Sequence, residues 1–163
     1  MQKQIIMRNL ILTLFAVSMI FSCDKDVVTF QEQLDIDVPI IESFLADNNI
    51  TALNDQGVYY VIDEEGTGSA YPTTNSFVSM AYSGKVMNGD GSIFDSAIPT
   101  NPLKIELYKL IPGWRIGIPK FKKGGKGTLY IPSGYAYGVN GSGSAIPGNS
   151  ILIFDIELLD FTN

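Results

Sequence analysis

The chain has 163 residues, 45% of them hydrophobic and 17% charged, enough apolar material for one packed domain with an extension. It carries 17 acidic and 11 basic side chains, no histidine, and a single cysteine, Cys23. These counts exclude His-based triads, His or thiolate zinc sites and an intrachain disulfide, and the acidic balance argues against a nucleic-acid partner.

Lys3 and Arg8 precede an apolar run over residues 10–21, "LILTLFAVSMIF". The run is short for a bilayer span and suits the core of a signal peptide. It stops at Ser22-Cys23, and polar "DKD" follows. "MIFSC" resembles a bacterial lipobox, with an aliphatic residue three places before the cysteine and a small one directly before it. The resemblance implies that residues 1–22 are removed and that Cys23 is lipidated. The alternative is an ordinary signal peptide with an incidental thiol. Loss of Lys3 and Arg8 leaves nine basic against 17 acidic side chains, a net charge of −8. Several acyl chains on one residue anchor stably, since each buried methylene contributes about 0.8 kcal/mol. The expected location is the cell envelope, lipid-anchored to a bacterial membrane on the periplasmic side or the cell surface.

Residues 23–32 read as a tether. Residues 33–48, within an extension ending at residue 56, place Leu34, Val38, Ile41 and Leu45 at helical spacing. Asp35 or Asp37 suits the N-cap, Pro39 is tolerable only in a first turn, and Asn48-Asn49 suits the stop. The helix reads as a packing appendage or a dimerisation element. From residue 57 the pattern turns to strands: "GVYYVID", then alternating "FVSMAYSGKVM" over 77–87, a hairpin turn at "NGDG", then "LKIEL", "GTLYIP" and "SILIFDIELLDF". Residues 57–163 therefore read as one β-rich domain, and residues 55–163 are expected to fold alone. One short helix fits near residues 114–121. The Gly- and Ser-rich loop over 134–149 is expected to be mobile and, at that length, functional or disordered. Lys120, Lys122, Lys123 and Lys126 form the one basic cluster, read as a solvated turn or an anion site.

Five segments, "VSMAYSG", "GSIFDSA", "LIPGW", "GTLYIPSGYAYG" and "AIPGNSILIFDIELL", stand in the order and near the spacing of the FKBP-type peptidyl-prolyl cis–trans isomerases. Residues 57–161 resemble that family. The resemblance implies an α+β, β-dominated fold: a curved antiparallel half-barrel around one short helix. It implies that Trp114 floors a proline pocket walled by Tyr82, Phe94 and Phe154. Leu103, Leu110 and Ile111 supply its aliphatic side, and Ile146 contacts it from the loop. The Ile111 N–H and the Tyr137 hydroxyl serve as donors, and Asp95 lies at the edge. Phe94, Asp95 and Tyr137 are the residues expected to act on the twisted amide. Leu103 stands where phenylalanine is common and Ala145 where a larger aliphatic is common. The stretch between Leu107 and Gly113 is about two residues short, and Pro119 is placed to cut the helix.

Prolyl isomerisation breaks no bond, so a chain without histidine or a catalytic thiol is no worse suited to it. The resemblance implies no cofactor and no metal. It implies proline-containing polypeptides as partners, macrolides of the family as possible ligands, and the membrane through Cys23. The competing functions are a binding or chaperone module with weak or no catalysis, as in envelope, gliding or secretion assemblies, and a structural surface lipoprotein.

Overall fold

The structure, a computed structural model, describes residues 28–163. The expected signal segment, Cys23 and the first part of the tether lie outside the described residues. Among the described residues, two α-helices and seven strands follow in chain order. They are α1 (Phe30–Asp47), β1 (Leu53–Asp55), β2 (Val58–Glu64), β3 (Phe77–Val86), β4 (Ile93–Ala97), β5 (Leu103–Glu106), α2 (Pro112–Gly117), β6 (Lys126–Ile131) and β7 (Leu152–Thr162).

All strands join one antiparallel sheet in the order β1-β2-β6-β7-β3-β4, with β5 also paired to β3. Strand β3 is long enough to take two partners along one edge. Its first half pairs β5 (Met80 with Leu103) and its second half pairs β4 (Tyr82 with Ala97). Register shifts at Ser79/Met80, Gly84/Lys85 and Ile62/Glu64 each insert an irregularity that bends the strand. The α+β half-barrel implied by the resemblance is the fold observed.

Alternation along β7 explains its near-continuous apolar start. Leu152, Phe154, Ile156 and Leu158 point into the main core with Val58, Met80, Leu129, Ile131 and Trp114. Ile151 and Ile153 point to the opposite face and build a second cluster with Tyr59, Tyr130, Met87, Ile41 and Leu45. Helix α2 fills the concave side, and α1 covers part of the convex side. Farther along β7 the outward positions become Asp155 and Glu157, where α1 no longer shields them.

Several sequence expectations change at α1. The helix starts at Phe30, so residues 30–32 belong to it and not to a tether. Its cap is Thr29, in a reciprocal capping box. Glu32 N–H donates to Thr29 Oγ1 at 3.2 Å, and Thr29 N–H donates to Glu32 Oε2 at 2.7 Å. The Thr29 N–H first, and the Thr29 hydroxyl second, hold the Glu32 carboxyl below its usual range. The earlier start puts Pro39 inside the helix, not in its first turn. Packing of Ile41 and Leu45 on the sheet offsets the lost backbone bond. Asp37 caps nothing and is buried against Ser133. The expected stop holds, with Asn48 as C-cap and Asn49 at φ 56°.

The helix expected near residues 114–121 runs from Pro112 to Gly117, with Pro at its start, and continues as a 3₁₀ turn over Ile118–Lys120 that contains Pro119. Strands β1 and β4 were not anticipated from the pattern. Each lysine of the basic cluster lies against a carboxylate: Lys120 with Asp55 at 2.6 Å, Lys122 with Glu65 at 3.1 Å, Lys123 with Asp160 at 2.8 Å and Lys126 with Glu64 at 3.2 Å. That arrangement matches the solvated-turn reading of the cluster.

Candidate functional site

The site forms where the concave face of the sheet meets α2. Helix α2 can approach the sheet closely because Gly113 and Gly117, one turn apart, face it. A Cβ on Gly113 would sit 2.3 Å from Ile131 Cγ2, and one on Gly117 2.7 Å from the Leu129 methyls. The close seat sinks the Trp114 indole between sheet and helix, where it is 3% exposed.

Gly84 does the same for the walls. It lies opposite Phe154 on β7 and opposite Asp95 on β4, at the register shift of β3. A Cβ there would sit 2.5 Å from Phe154 Cε1 and 2.8 Å from Phe94 Cζ. The missing side chain lets the two rings meet edge-to-face at 5.7 Å and 89°. Trp114 meets Phe154 at 5.0 Å and 86°, and meets Tyr82 at 4.9 Å and 82°. Edge-to-face pairs add about 0.5–1.5 kcal/mol each beyond area burial, so the box is stiff as well as dry.

These rings enclose a cavity of about 80 Å³, lined by Tyr82, Phe94, Asp95, Leu103, Leu110, Ile111, Trp114, Tyr137 and Phe154. Its size suits one small ring, against the roughly 300–1,000 Å³ of pockets that hold drug-sized ligands. A far larger open groove, about 900 Å³, lies away from it between α1 and the β1–β2 hairpin. We place the chemistry in the small cavity, because convergent aromatic walls and aimed polar groups matter more than volume.

Nine of the ten pocket residues expected from the sequence line the cavity. Ile146 does not. It is buried in the main core cluster, and its backbone pairs with Ser142 across the loop. Its side chain packs in the same cluster as Trp114 and Phe154, under the cavity's floor and wall.

Polar groups stand at three points. The Tyr82 hydroxyl donates to Asp95 Oδ2 at 2.6 Å, which ties the exposed carboxylate to the rim. Burial first, and the Asp95 bond second, push the Tyr82 phenol well above its ordinary value. Burial first, and the Asp95 charge second, also raise Tyr137. Both phenols therefore stay neutral donors throughout the neutral range. The Tyr137 hydroxyl has no hydrogen-bond partner among the described residues, and the Ile111 N–H has no backbone acceptor among them. The buried Trp114 Nε1–H is also without a partner.

A half-barrel that sinks an indole under three aromatic rings, with free donors at the mouth, defines a site for gripping a small apolar ring flanked by carbonyls. The model of the FKBP-type peptidyl-prolyl cis-trans isomerase family matches residues 68–159, and the chain belongs to that family. It is 44% identical over 108 residues to the FKBP-type peptidyl-prolyl cis-trans isomerase FkpA of Buchnera aphidicola, covering 66% of this chain and 42% of that one. It is 38% identical over 110 residues to FK506-binding protein 1A of Aspergillus fumigatus, covering 66% of this chain and 96% of that one. The crystal structure of a peptidyl-prolyl cis-trans isomerase from Pseudomonas syringae superposes with a TM-score of 0.66 at 30% identity, over 79% of this chain and 96% of that one. The chain spans about two-fifths of the length of the bacterial relatives it matches.

Sequence reasoning missed the part of Gly84 in the walls and the burial of Asp37 against Ser133. Gly84 carried a signal, a glycine in the middle of an alternating strand, which marks a close approach. Asp37 carried one too, as a charged residue on the apolar stripe of Leu34, Ile41 and Leu45.

Proposed function

We propose that the protein is a prolyl cis–trans isomerase that assists the folding of exported proteins while anchored to a membrane by lipid on Cys23. The convergence of Tyr82, Phe94, Trp114 and Phe154 on one small cavity, with Tyr137 and Ile111 offering free donors, carries the catalytic part of this reading. The anchoring part rests on the "MIFSC" sequence alone.

The pyrrolidine ring enters the aromatic box and the Xaa side stays at the mouth. An Xaa-Pro amide crosses a barrier of about 18–20 kcal/mol by losing its resonance. The twisted amide is less polar than the planar one. A cavity that excludes water therefore stabilises the twisted form relative to the ground state. The Ile111 N–H and Tyr137 O–H meet the flanking carbonyls and hold them turned with respect to the ring. Asp95, fixed by Tyr82, places negative charge at the rim. A 10⁴-fold acceleration needs roughly 5–6 kcal/mol, within reach of several ring contacts and two hydrogen bonds.

The test is the rate of cis–trans exchange in a short Xaa-Pro peptide, with catalytic amounts of protein, with and without a macrolide of the family. Acceleration abolished by the macrolide supports the reading. Peptide binding without acceleration leaves the binding-module function in its place.

A further inference from the structure

The loop that carries Tyr137 leaves β6 at Pro132, and its first three residues each meet α1. Asp37 Oδ2 accepts from the Ser133 N–H at 2.7 Å and from the Ser133 hydroxyl at 2.6 Å. Its Oδ1 accepts from Gln33 Nε2 at 2.8 Å, one turn back on the helix. The carboxylate is 2% exposed and Ser133 is fully buried, so no water competes for these bonds. At Gly134 the backbone passes so near Phe30 that an added Cβ would sit 2.9 Å from its ring. The Tyr135 ring meets Phe30 edge-on at 4.9 Å and 79°.

Tyr137 follows two residues later. The residue is 39% exposed and its hydroxyl has no partner among the described residues. Nothing at its tip sets its direction. The backbone between is short and turned, with a 3₁₀ turn over Ser133–Tyr135 and Ala136 at φ −114°, ψ −108°. On its far side Gly138 is held by the Asn149 N–H at 2.8 Å and the Gly141 N–H at 3.3 Å, so the backbone of the donor is fixed from both ends, and the near end, the root, is held from α1.

We propose that Asp37 is a positioning residue for Tyr137, and that α1 is thereby part of the prolyl site and not only a cover for the sheet. The proposal rests on the reading of Tyr137 as the donor at the pocket mouth. A helix that only shielded the convex face would need apolar residues there. A buried carboxylate committed to three donors is costly to bury, and its two cross-chain bonds both fall on the loop root.

The experiment is a double-mutant cycle on the full chain, read as kcat/KM on an Xaa-Pro peptide well below every melting midpoint. Tyr137→Phe removes one hydrogen bond and sets a ceiling of about five-fold. Asp37→Asn is expected to lose a similar factor in the wild-type background and almost nothing in the Tyr137→Phe background. Amide exchange at Tyr137 and Gly138 rises in Asp37→Asn. Leu45→Ala, in the same helix but in the second core cluster, lowers the melting midpoint and leaves the rate unchanged. Equal losses for Asp37→Asn in both backgrounds, a matching rate loss in Leu45→Ala, or unchanged loop exchange would overturn the proposal. A wild-type chain without acceleration sinks the isomerase reading separately. Loop exchange and affinity for the same peptide then carry the test. Raised exchange with weaker binding upholds the positioning role, and no change in either overturns it.

Discussion

Gly84→Ala tests whether the aromatic walls need the contact that glycine allows. The new methyl would lie 2.5 Å from Phe154 Cε1 and 2.8 Å from Phe94 Cζ. Both distances fall about 0.7–1.5 Å short of ordinary carbon contact. Relief must come from the rings, because Gly84 is locked in the ladder between Phe154 and Asp95. Overpacking of this kind costs roughly 1–3 kcal/mol. If Phe94, at the less buried edge, yields first, most of the cost appears as a lost pocket wall and little as lost stability. At about 1.4 kcal/mol per tenfold, kcat/KM on an Xaa-Pro peptide then falls roughly five- to 150-fold. The assay pairs that rate with a thermal melt. A variant with wild-type rate and an unchanged melt would refute the claim that Gly84 brings the rings together. A fall in melting midpoint with no change in rate would show that Phe154 moved into the core and the pocket did not depend on it.

Tyr137→Phe should keep the melt and lower the rate about five-fold, the value of one hydrogen bond, while Lys123→Ala, whose partner Asp160 is exposed, should change neither. Alkaline stability should depend on Tyr59, whose phenol is pushed up to about 12 by burial first and by its bond to Glu42 Oε1, at 2.5 Å, second. Its folded pKa is raised, so its stabilisation is full below the ordinary tyrosine value near 10 and is lost as pH rises from there to about 12. The pH dependence of denaturant melts between these limits should flatten in Tyr59→Phe, and an unchanged slope would count against the Tyr59 phenol as its source. Cys23→Ala should release the protein from membranes or block its processing, and unchanged membrane fractionation would remove the lipid anchor from the account.

What could be read in the sequence follows from where each force originates. Strands β3 and β7 were legible because their alternation is local and each has one face in the main core. Strand β1 has three residues, and β4 has exposed Ile93 and Asp95 where a core strand would repeat apolar positions. Both exist because β2 and β3 offer an edge to pair with, and no pattern in their own residues announces that. The start of α1 was legible but misread. Thr29 and Glu32 make the capping box three residues apart, whereas Asp35 and Asp37 suit a cap by residue type alone. The partner of Asp37 lies 96 residues away, so its role belongs to tertiary structure. The pocket was legible as a set, through the order of five short segments. Its geometry was not, since the close approach of Phe94 and Phe154 over Gly84 depends on the pairing of three strands.

The most direct measurement of the central claim is the exchange rate of an Xaa-Pro peptide with wild-type protein and with Phe94→Ala, each checked by its melting curve. Phe94 is half-buried at the cavity wall, so its loss opens the ring site while the core beneath Trp114 and Phe154 stays closed. The account predicts strong acceleration by wild type and a loss in Phe94→Ala larger than the roughly five-fold loss in Tyr137→Phe. A wild-type rate equal to the thermal rate, or a folded Phe94→Ala as fast as wild type, would contradict it.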